Sequence, residues 1–290
     1  MTTDQIGHGV ALMHRRNRRV WLAKRRRVLG ATDAVAVLGY SKWATPLDVW
    51  LEKTGRAEPD NLDDKYVVQR GNVLEPLIIT EWSRRNGAAL VEFPPLLGHP
   101  HHHMIAASLD AVGDIDTRQR TICEAKAVTW RAKDDWWDDA VMVPDQYAVQ
   151  VLIQLAVTGL DVAHICADVA GEYRQVEIER DFDFESWALP ALDEWWARHV
   201  VGGEEPDIDP VRDYPRLNRV WRKVPGLERE ATADELTLIR SWRDASQQAR
   251  DAKAVTDELR GHIRIALRDH ESLTADGERI VRLDARGALR

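Results

Sequence analysis

Asp110, Glu124 and Lys126 are the residues whose types and spacing could do chemistry together. They stand in Ser108-Leu109-Asp110, a turn-rich interval with Gly113, Asp114 and Asp116, and then Thr121-Ile122-Cys123-Glu124-Ala125-Lys126. Residues 104–109 and 121–128 read as strands, and the polar interval between them as the loop of a hairpin. Side chains alternate faces along a strand, so Glu124 and Lys126 point one way and Ala125 the other. Asp110, at the end of the first strand, converges on that pair. Two carboxylates at one point make an oxygen site for a hard divalent cation such as Mg²⁺. A lysine beside them positions a water or offsets the charge of a phosphoryl transition state. The combination suits phosphodiester cleavage. Acidic and basic residues alternate on many solvated strands, so the spacing alone carries little. Glu124 and Lys126, however, sit in an apolar run of Ile122, Cys123, Ala125, Ala127 and Val128, where charges persist mainly when paired or metal-bound.

Other segments must hold this constellation in place. Pro144 and Gly159 bracket a helix of about four turns. It is apolar almost all round, hence buried, yet carries Tyr147, Gln150 and Gln154 on one face. A buried polar stripe needs partners, and an adjacent site would supply them. Residues 164–169 and 173–178 read as two further strands joined at Gly171. Upstream, Thr32 can cap a short helix over 34–38 that ends at Gly39. Free N–H groups there, with Thr32 and Arg25, suit a phosphate as well as an ordinary cap. Pro46 starts a helix that stops at Gly55. A helical segment over 66–85 contains Gly71 and Pro76, so a kink or a start is expected nearby. Glu75 lies among Leu74, Leu77 and Ile78 and faces inward, either paired with an arginine or serving a metal. Residues 90–96 read as a strand.

His99-Pro100-His101-His102-His103 invites a zinc reading, but adjacent residues on an extended chain point apart, so a polar loop is the better account. Residues 130–142, with Trp136-Trp137, follow the hairpin. Residues 184–199 form an amphipathic helix with Trp187, Trp195 and Trp196. An acid- and Pro-rich linker over 202–215 leads to a charged helix over 232–269 and a short final strand, 279–283. Residues 1–14 carry little pattern and are expected to be loosely attached.

With 290 residues, the chain holds one large domain or two modest ones. No run approaches the ~18 apolar residues of a membrane span. The arginine-rich start lacks the apolar segment of a signal peptide, so a cytoplasmic protein is expected. Cys123 and Cys166 read as reduced core residues, and two cysteines exclude a four-cysteine metal site. The net charge of −8 speaks against nucleic acid on the average, but the distribution does not. Eight Lys and Arg residues fall between Arg15 and Arg27 with no acid among them, as in a solvated arm or a phosphate-contacting segment.

Several motifs stand in a fixed order: Trp21-Leu22…Arg25…Gly30-Ala31-Thr32-Asp33-Ala34, Gly71-Asn72-x-Leu74-Glu75-Pro76, Leu109-Asp110, Glu124-Ala125-Lys126 and Pro144-x-x-Tyr147-x-x-Gln150. Together they resemble the YqaJ-like viral recombinase family, relatives of the lambda-type phage exonuclease, over roughly residues 20–170. The resemblance implies an α/β PD-(D/E)XK nuclease core, a mixed central sheet flanked by helices, with a C-terminal helical extension. The expected division is a flexible basic arm over 1–19, a core over 20–201 and the extension over 202–290.

By the same resemblance, Asp110 and Glu124 are metal ligands with the Ala125 carbonyl, and Mg²⁺ or Mn²⁺ is the cofactor, as two ions. Lys126 assists the attacking water, Glu75 completes the acidic cluster, and Gln150 steadies the lysine or the water. Arg25, Thr32 and Tyr147 fall at DNA- or phosphate-contacting positions. Thr32 stands where serine is usual and Ala111 where glycine commonly follows the aspartate, which bears on substrate handling. The implied activity is 5′-to-3′ exonucleolytic resection of double-stranded DNA ends for recombination. The implied setting is a phage or prophage in a bacterial cytoplasm, a ring of three copies and a single-strand annealing protein as partner. An endonuclease on the same core, or a DNA-binding protein with a decayed site, remain the alternatives; intact Asp110, Glu124, Lys126 and Gln150 weigh against decay.

Overall fold

The computed structural model describes residues 5–13, 18–58, 62–91, 94–115, 119–136 and 143–290. The chain forms two compact units, 1–223 and 224–290. The first unit opens with strands β1 (Gln5–Ile6) and β2 (Gly9–Met13), then helices α1 (Arg18–Arg25), α2 (Ala31–Val37), α3 (Pro46–Lys53) and α4 (Tyr66–Asn86). Strands β3 (Ala89–Leu90), β4 (Leu96–Gly98), β5 (Ala106–Ala107), β6 (Ala111–Ile115) and β7 (Gln119–Val128) follow, then a 3₁₀ segment, Trp130–Trp136. Helix α5 (Asp145–Thr158), strands β8 (Val162–Val169) and β9 (Glu172–Glu179), and helices α6 (Phe182–Trp195) and α7 (Leu217–Val220) complete it. The second unit holds helix α8 (Ala233–Leu267) and strands β10 (Ser272–Ala275) and β11 (Glu278–Arg282).

The central sheet runs β3-β6-β7-β8-β9 and is mixed: β7 and β8 are parallel, and the other neighbours are antiparallel. Parallel strands require a long connection across one face, and α5 is that connection. The sequence alternation of β7 and β8 sorts their side chains between two cores. Ile122, Ala163, Ile165 and Ala167 pack with Val149, Val151 and Ile153 of α5, whereas Cys123 and Cys166 pack with Ile78 and Trp82 of α4. Glu124 and Lys126, in phase with Ile122, therefore face α5. Both cysteines are buried and free, as expected.

Helix α5 begins after Pro144 and ends where Gly159 takes φ +67°, a left-handed cap that glycine adopts without a Cβ penalty. A Cβ there would also sit 2.3 Å from the His8 ring, because the turn between β1 and β2 docks on this helix end. The His8 N–H donates to the Thr158 carbonyl (2.7 Å). β1 and β2 join β4 and β5 in a second, four-stranded sheet.

Several expectations change. Residues 5–13, read as a loose start, form β1 and β2, and Ile6 is fully buried. The first hairpin strand is β6 rather than 104–109: Gly113 and Asp114 lie within it, Asp116 lies outside the described residues, and only Ala106–Ala107 of the earlier segment is a strand, in the other sheet. The turn residues misled because Gly113 is needed for space, its Cα facing Trp82 at a distance that leaves a Cβ only 3.0 Å. Helix α4 runs unbroken through Gly71 and Pro76. Proline there forfeits one backbone bond, and burial of Ile78 and Trp82 on the sheet outweighs that loss. The segment 90–96 carries strand only at its ends, with 92–93 outside the described residues. Of 130–142, Trp130–Trp136 is 3₁₀ helix and 137–142 lie outside them. The single final strand is a hairpin of β10 and β11.

Candidate functional site

The hairpin register pairs Ala111 with Cys123 and Val112 with Ile122. Continued by one residue, it sets Asp110 opposite Glu124, so the two carboxylates meet just before β6 begins rather than at the end of an earlier strand. The Asp110 carboxylate accepts the Ala125 N–H at 3.0 Å. Burial, together with the charges of Glu124 and Glu75, pushes Asp110 up to about 8, against the opposing pull of Lys126 and the Ala125 N–H. Glu75, from α4, is thus part of the same electrostatic cluster.

Glu124 is clamped by amides. Gln150 Nε2 donates to its Oε1 at 2.6 Å, and Gln154 Nε2 donates to its Oε2 at 2.7 Å. Both glutamines come from α5, one turn apart, on the face turned toward β7. Lys126 Nζ donates to Glu124 Oε1 (2.5 Å) and to Gln150 Oε1 (3.3 Å), closing a ring of three side chains. The glutamate side chain is 3% exposed and the lysine 18%. Burial pulls the Lys126 pKa down, but the charges of Glu124 and Asp110 outweigh it and hold the ammonium above its ordinary value. Lys126 is therefore a fixed cation and hydrogen-bond donor. Its Nζ lies 5.1 Å from the Tyr147 ring centre, and that ring packs on Trp136.

Gln154 is the residue to which sequence reasoning assigned no role, although its place in the Tyr147/Gln150 stripe was the signal. It is fully buried, and its Nε2 also reaches the Ser108 carbonyl at 3.3 Å. With two acceptors before that nitrogen, the reversed amide would set oxygen against oxygen, so the orientation is determined. Its own Oε1 is buried without a hydrogen-bond partner.

Arg25 and Thr32 form a second locus. Arg25 Nη2 donates to Thr32 Oγ1 at 2.9 Å, and the guanidinium lies over the Trp21 ring. Thr32 is not the cap: Gly30 caps α2, and Asp33 accepts the Gly30 N–H at 2.8 Å. The Thr32 hydroxyl is exposed and turned to Arg25 instead. Asp33 also pairs with Lys53 at 2.7 Å, an almost fully buried lysine for which the sequence offered no signal. A cavity of about 200 Å³ joins the two loci: Thr32 and Asp33 line one side, Tyr147 and Gln150 the other, over Val35, Val49 and Trp43.

The histidine segment is a loop, as expected, but a packed one. His99 Nδ1 accepts the N–H groups of His101 (3.1 Å) and His102 (2.9 Å), and His102 pairs with Asp193. Among the described residues, no group of three or more His, Cys, Asp and Glu side chains forms a metal site by itself.

Residues 20–161 match the YqaJ-like viral recombinase domain. The chain is 27% identical over 258 residues to the uncharacterised protein YqaJ of Bacillus subtilis (strain 168), covering 87% of this chain and 78% of that one. It is 31% identical over 149 residues to an uncharacterised protein of Acanthamoeba polyphaga mimivirus, covering 49% of this chain and 27% of that protein. Among solved structures, an alkaline exonuclease from Laribacter hongkongensis superposes with a TM-score of 0.52 at 20% identity, over 63% of this chain and 93% of that one. The first unit accordingly shares the fold of that exonuclease, a mixed sheet flanked by helices. Residues 20–161 of the chain thus carry a YqaJ-like viral recombinase domain.

Proposed function

We propose that this protein is a metal-dependent deoxyribonuclease that resects double-stranded DNA from 5′ ends during recombination. The observation that carries the proposal is the ring of Glu124, Lys126 and Gln150, locked by Gln154 and set opposite Asp110. The donor set fits a hard divalent cation. Burial first, and then the neighbouring charge of Glu124, push Asp110 up to about 8, and added positive charge offsets both. Asp110, Glu124 and the Ala125 carbonyl would hold Mg²⁺ or Mn²⁺, and a second ion would draw on Glu75 and the phosphate oxygens of the substrate. A cation there supplies Lewis-acid stabilisation of the phosphoryl group and lowers the pKa of water.

Lys126, held protonated, orients the attacking water and offsets charge on the phosphoryl oxygens. Gln150 fixes both the lysine and the carboxylate. Arg25 and Thr32, across the cavity, hold the terminal 5′-phosphate, and Tyr147 lines the path between. The resemblance to the YqaJ-like family supports a ring of three copies, a single-strand annealing protein as partner, and a phage or prophage origin in a bacterial cytoplasm. No helix among the described residues is long and apolar enough to cross a membrane.

The deciding experiment incubates the protein with linear and covalently closed duplex DNA, in Mg²⁺, in Mn²⁺ and in chelator. Digestion of linear DNA alone, abolished by chelator, is expected. Cleavage of closed circles would make the protein an endonuclease, and binding without cleavage in either ion would make it a DNA-binding protein only.

A further inference from the structure

Helix α8 is 35 residues long, and its large apolar side chains are bare: Leu238 is 71% exposed, Trp242 66% and Leu259 56%. A solvated helix of this length does not need such residues, and a helix so long gains most of its stability from packing. Starting at Leu238 and stepping alternately four and three residues reaches Ala266 without meeting a charge; Thr256 is the one polar residue on the way. That 3.5-residue period is the seam of a coiled coil. Along the flanks of this seam beyond the first turn, the charged or titratable residues are Lys253, Arg260 and His262. Each is answered on its own helix, by Asp257 at 2.5 and 3.7 Å and by Glu258 at 3.8 Å.

The identity of the covering surface follows from size and charge. The helix carries six acidic and six basic residues, so it offers no excess charge to a phosphate backbone. Along the seam, bulky and small residues are distributed so that the helix complements itself when reversed. With Ala254 near the two-fold axis, Trp242 faces Ala266 of the other helix, Ala249 faces Leu259, Thr256 faces Ala252, and Ile263 faces Ala245. Every layer then pairs one larger residue with an alanine, which keeps the helices evenly spaced. A parallel pairing would set Trp242 against Trp242 beside three consecutive alanine layers and force the helices apart.

We infer that α8 joins two copies of this chain as an antiparallel two-stranded coil. The shared segment, 241–267, is ~40 Å long at the helical rise. The interface is isologous, so it pairs chains two at a time; in a ring of three it would join one ring to another, and its loss halves the mass in either case. Lys253 approaches its counterpart near the axis, and the Asp257 carboxylate on each helix tempers that repulsion.

The test uses the full chain. Sedimentation equilibrium should show Leu259→Lys with half the parent's mass at concentrations where the parent is paired. Separately, Ala249→Cys and Leu259→Cys chains are mixed and oxidised, with the parent as control for buried Cys123 and Cys166. The mixed 249–259 disulfide should dominate over either homodimer. An unchanged mass for Leu259→Lys overturns the inference, and so does a yield of homodimers in place of the mixed species, which is the signature of a parallel coil.

Discussion

The two ends of the cavity between α2 and α5 are built in opposite ways. At the sheet end, both Glu124 oxygens are hydrogen-bonded, and two of the three side chains that hold them project from one helix, α5. At the helix end, Arg25 and Thr32 share one hydrogen bond, Thr32 is exposed, and the guanidinium rests on an indole face. A group that must place charge within a fraction of an ångström gains from being immobile before its ligand arrives. One that must seize, release and seize again a moving chain end gains from adaptability. On the function proposed, the contrast fits bond cleavage at the sheet end and substrate handling at the helix end, and it can be broken residue by residue.

The largest effect is expected from Glu124→Gln. It removes a carboxylate from the donor set and sets an amide against three donors. Cleavage should disappear in Mg²⁺ and Mn²⁺, while DNA affinity in a gel-shift assay persists, since phosphate contacts supply most of it. Full activity would end the assignment of the hairpin as the site. Next, Lys126→Ala should slow single-turnover cleavage ~100-fold or more. Lys126→Arg should restore little, because a planar guanidinium does not fit where a compact ammonium bridges Glu124 and Gln150. A near-normal alanine variant would reduce the pair to a buried salt bridge.

Gln154→Met tests whether immobility itself matters. It keeps the volume and removes the donor shared by Glu124 Oε2 and the Ser108 carbonyl, so a loss of ~10–100-fold and a raised Mg²⁺ requirement are expected. Unchanged Mg²⁺ dependence would show that one amide suffices. At the helix end, Arg25→Ala should slow digestion of 5′-phosphorylated ends by about tenfold, the worth of one charge-assisted bond, and narrow the advantage over hydroxyl ends. Arg27→Ala should weaken both kinds of end alike through nonspecific affinity. Equal losses on both ends in the Arg25 variant would erase the division of labour.

The smallest effect lies outside both ends. Burial, with His102 and other nearby cations, lowers His99 to about 4. The unfolded chain therefore binds the extra proton first, and stability falls as pH drops from the ordinary histidine value near 6.5 toward 4. His99→Asn, which keeps an acceptor for the two backbone N–H groups, should flatten the dependence of the urea midpoint on pH across that window.

Local signals made much of this site legible. Pro144 and Gly159 marked α5 to within a residue, and the Glu-x-Lys alternation put both side chains on one face. The charges in an apolar run pointed to partners, and the glutamines were those partners. What was hidden depended on contacts distant in sequence. Asp110 belongs opposite Glu124 because of the β6–β7 register, and turn-forming residues inside β6 concealed that strand. Gly30 rather than Thr32 caps α2 because the Asp33 carboxylate reaches back to accept the Gly30 N–H, whereas the hydroxyl at 32 was the stronger cap signal in the sequence. Lys53 is buried by Asp33, from another helix, and no period within α3 announces it. Residues 5–13 have too short a pattern to read as strands, and they are ordered by docking on the end of α5.

The donors around Glu124 also bear on which ions the site would accept. One of its oxygens already receives two hydrogen bonds and the other receives one, so little lone-pair capacity is left for a cation to be gripped by both oxygens at once. Large, loosely coordinating Ca²⁺ draws on such two-oxygen grips and on ligands that can swing outward, whereas Mg²⁺ takes single oxygens at fixed short distances. A carboxylate restrained by neutral amides keeps most of its charge but loses its freedom to pivot, and selectivity for the smaller ion is what that restraint implies.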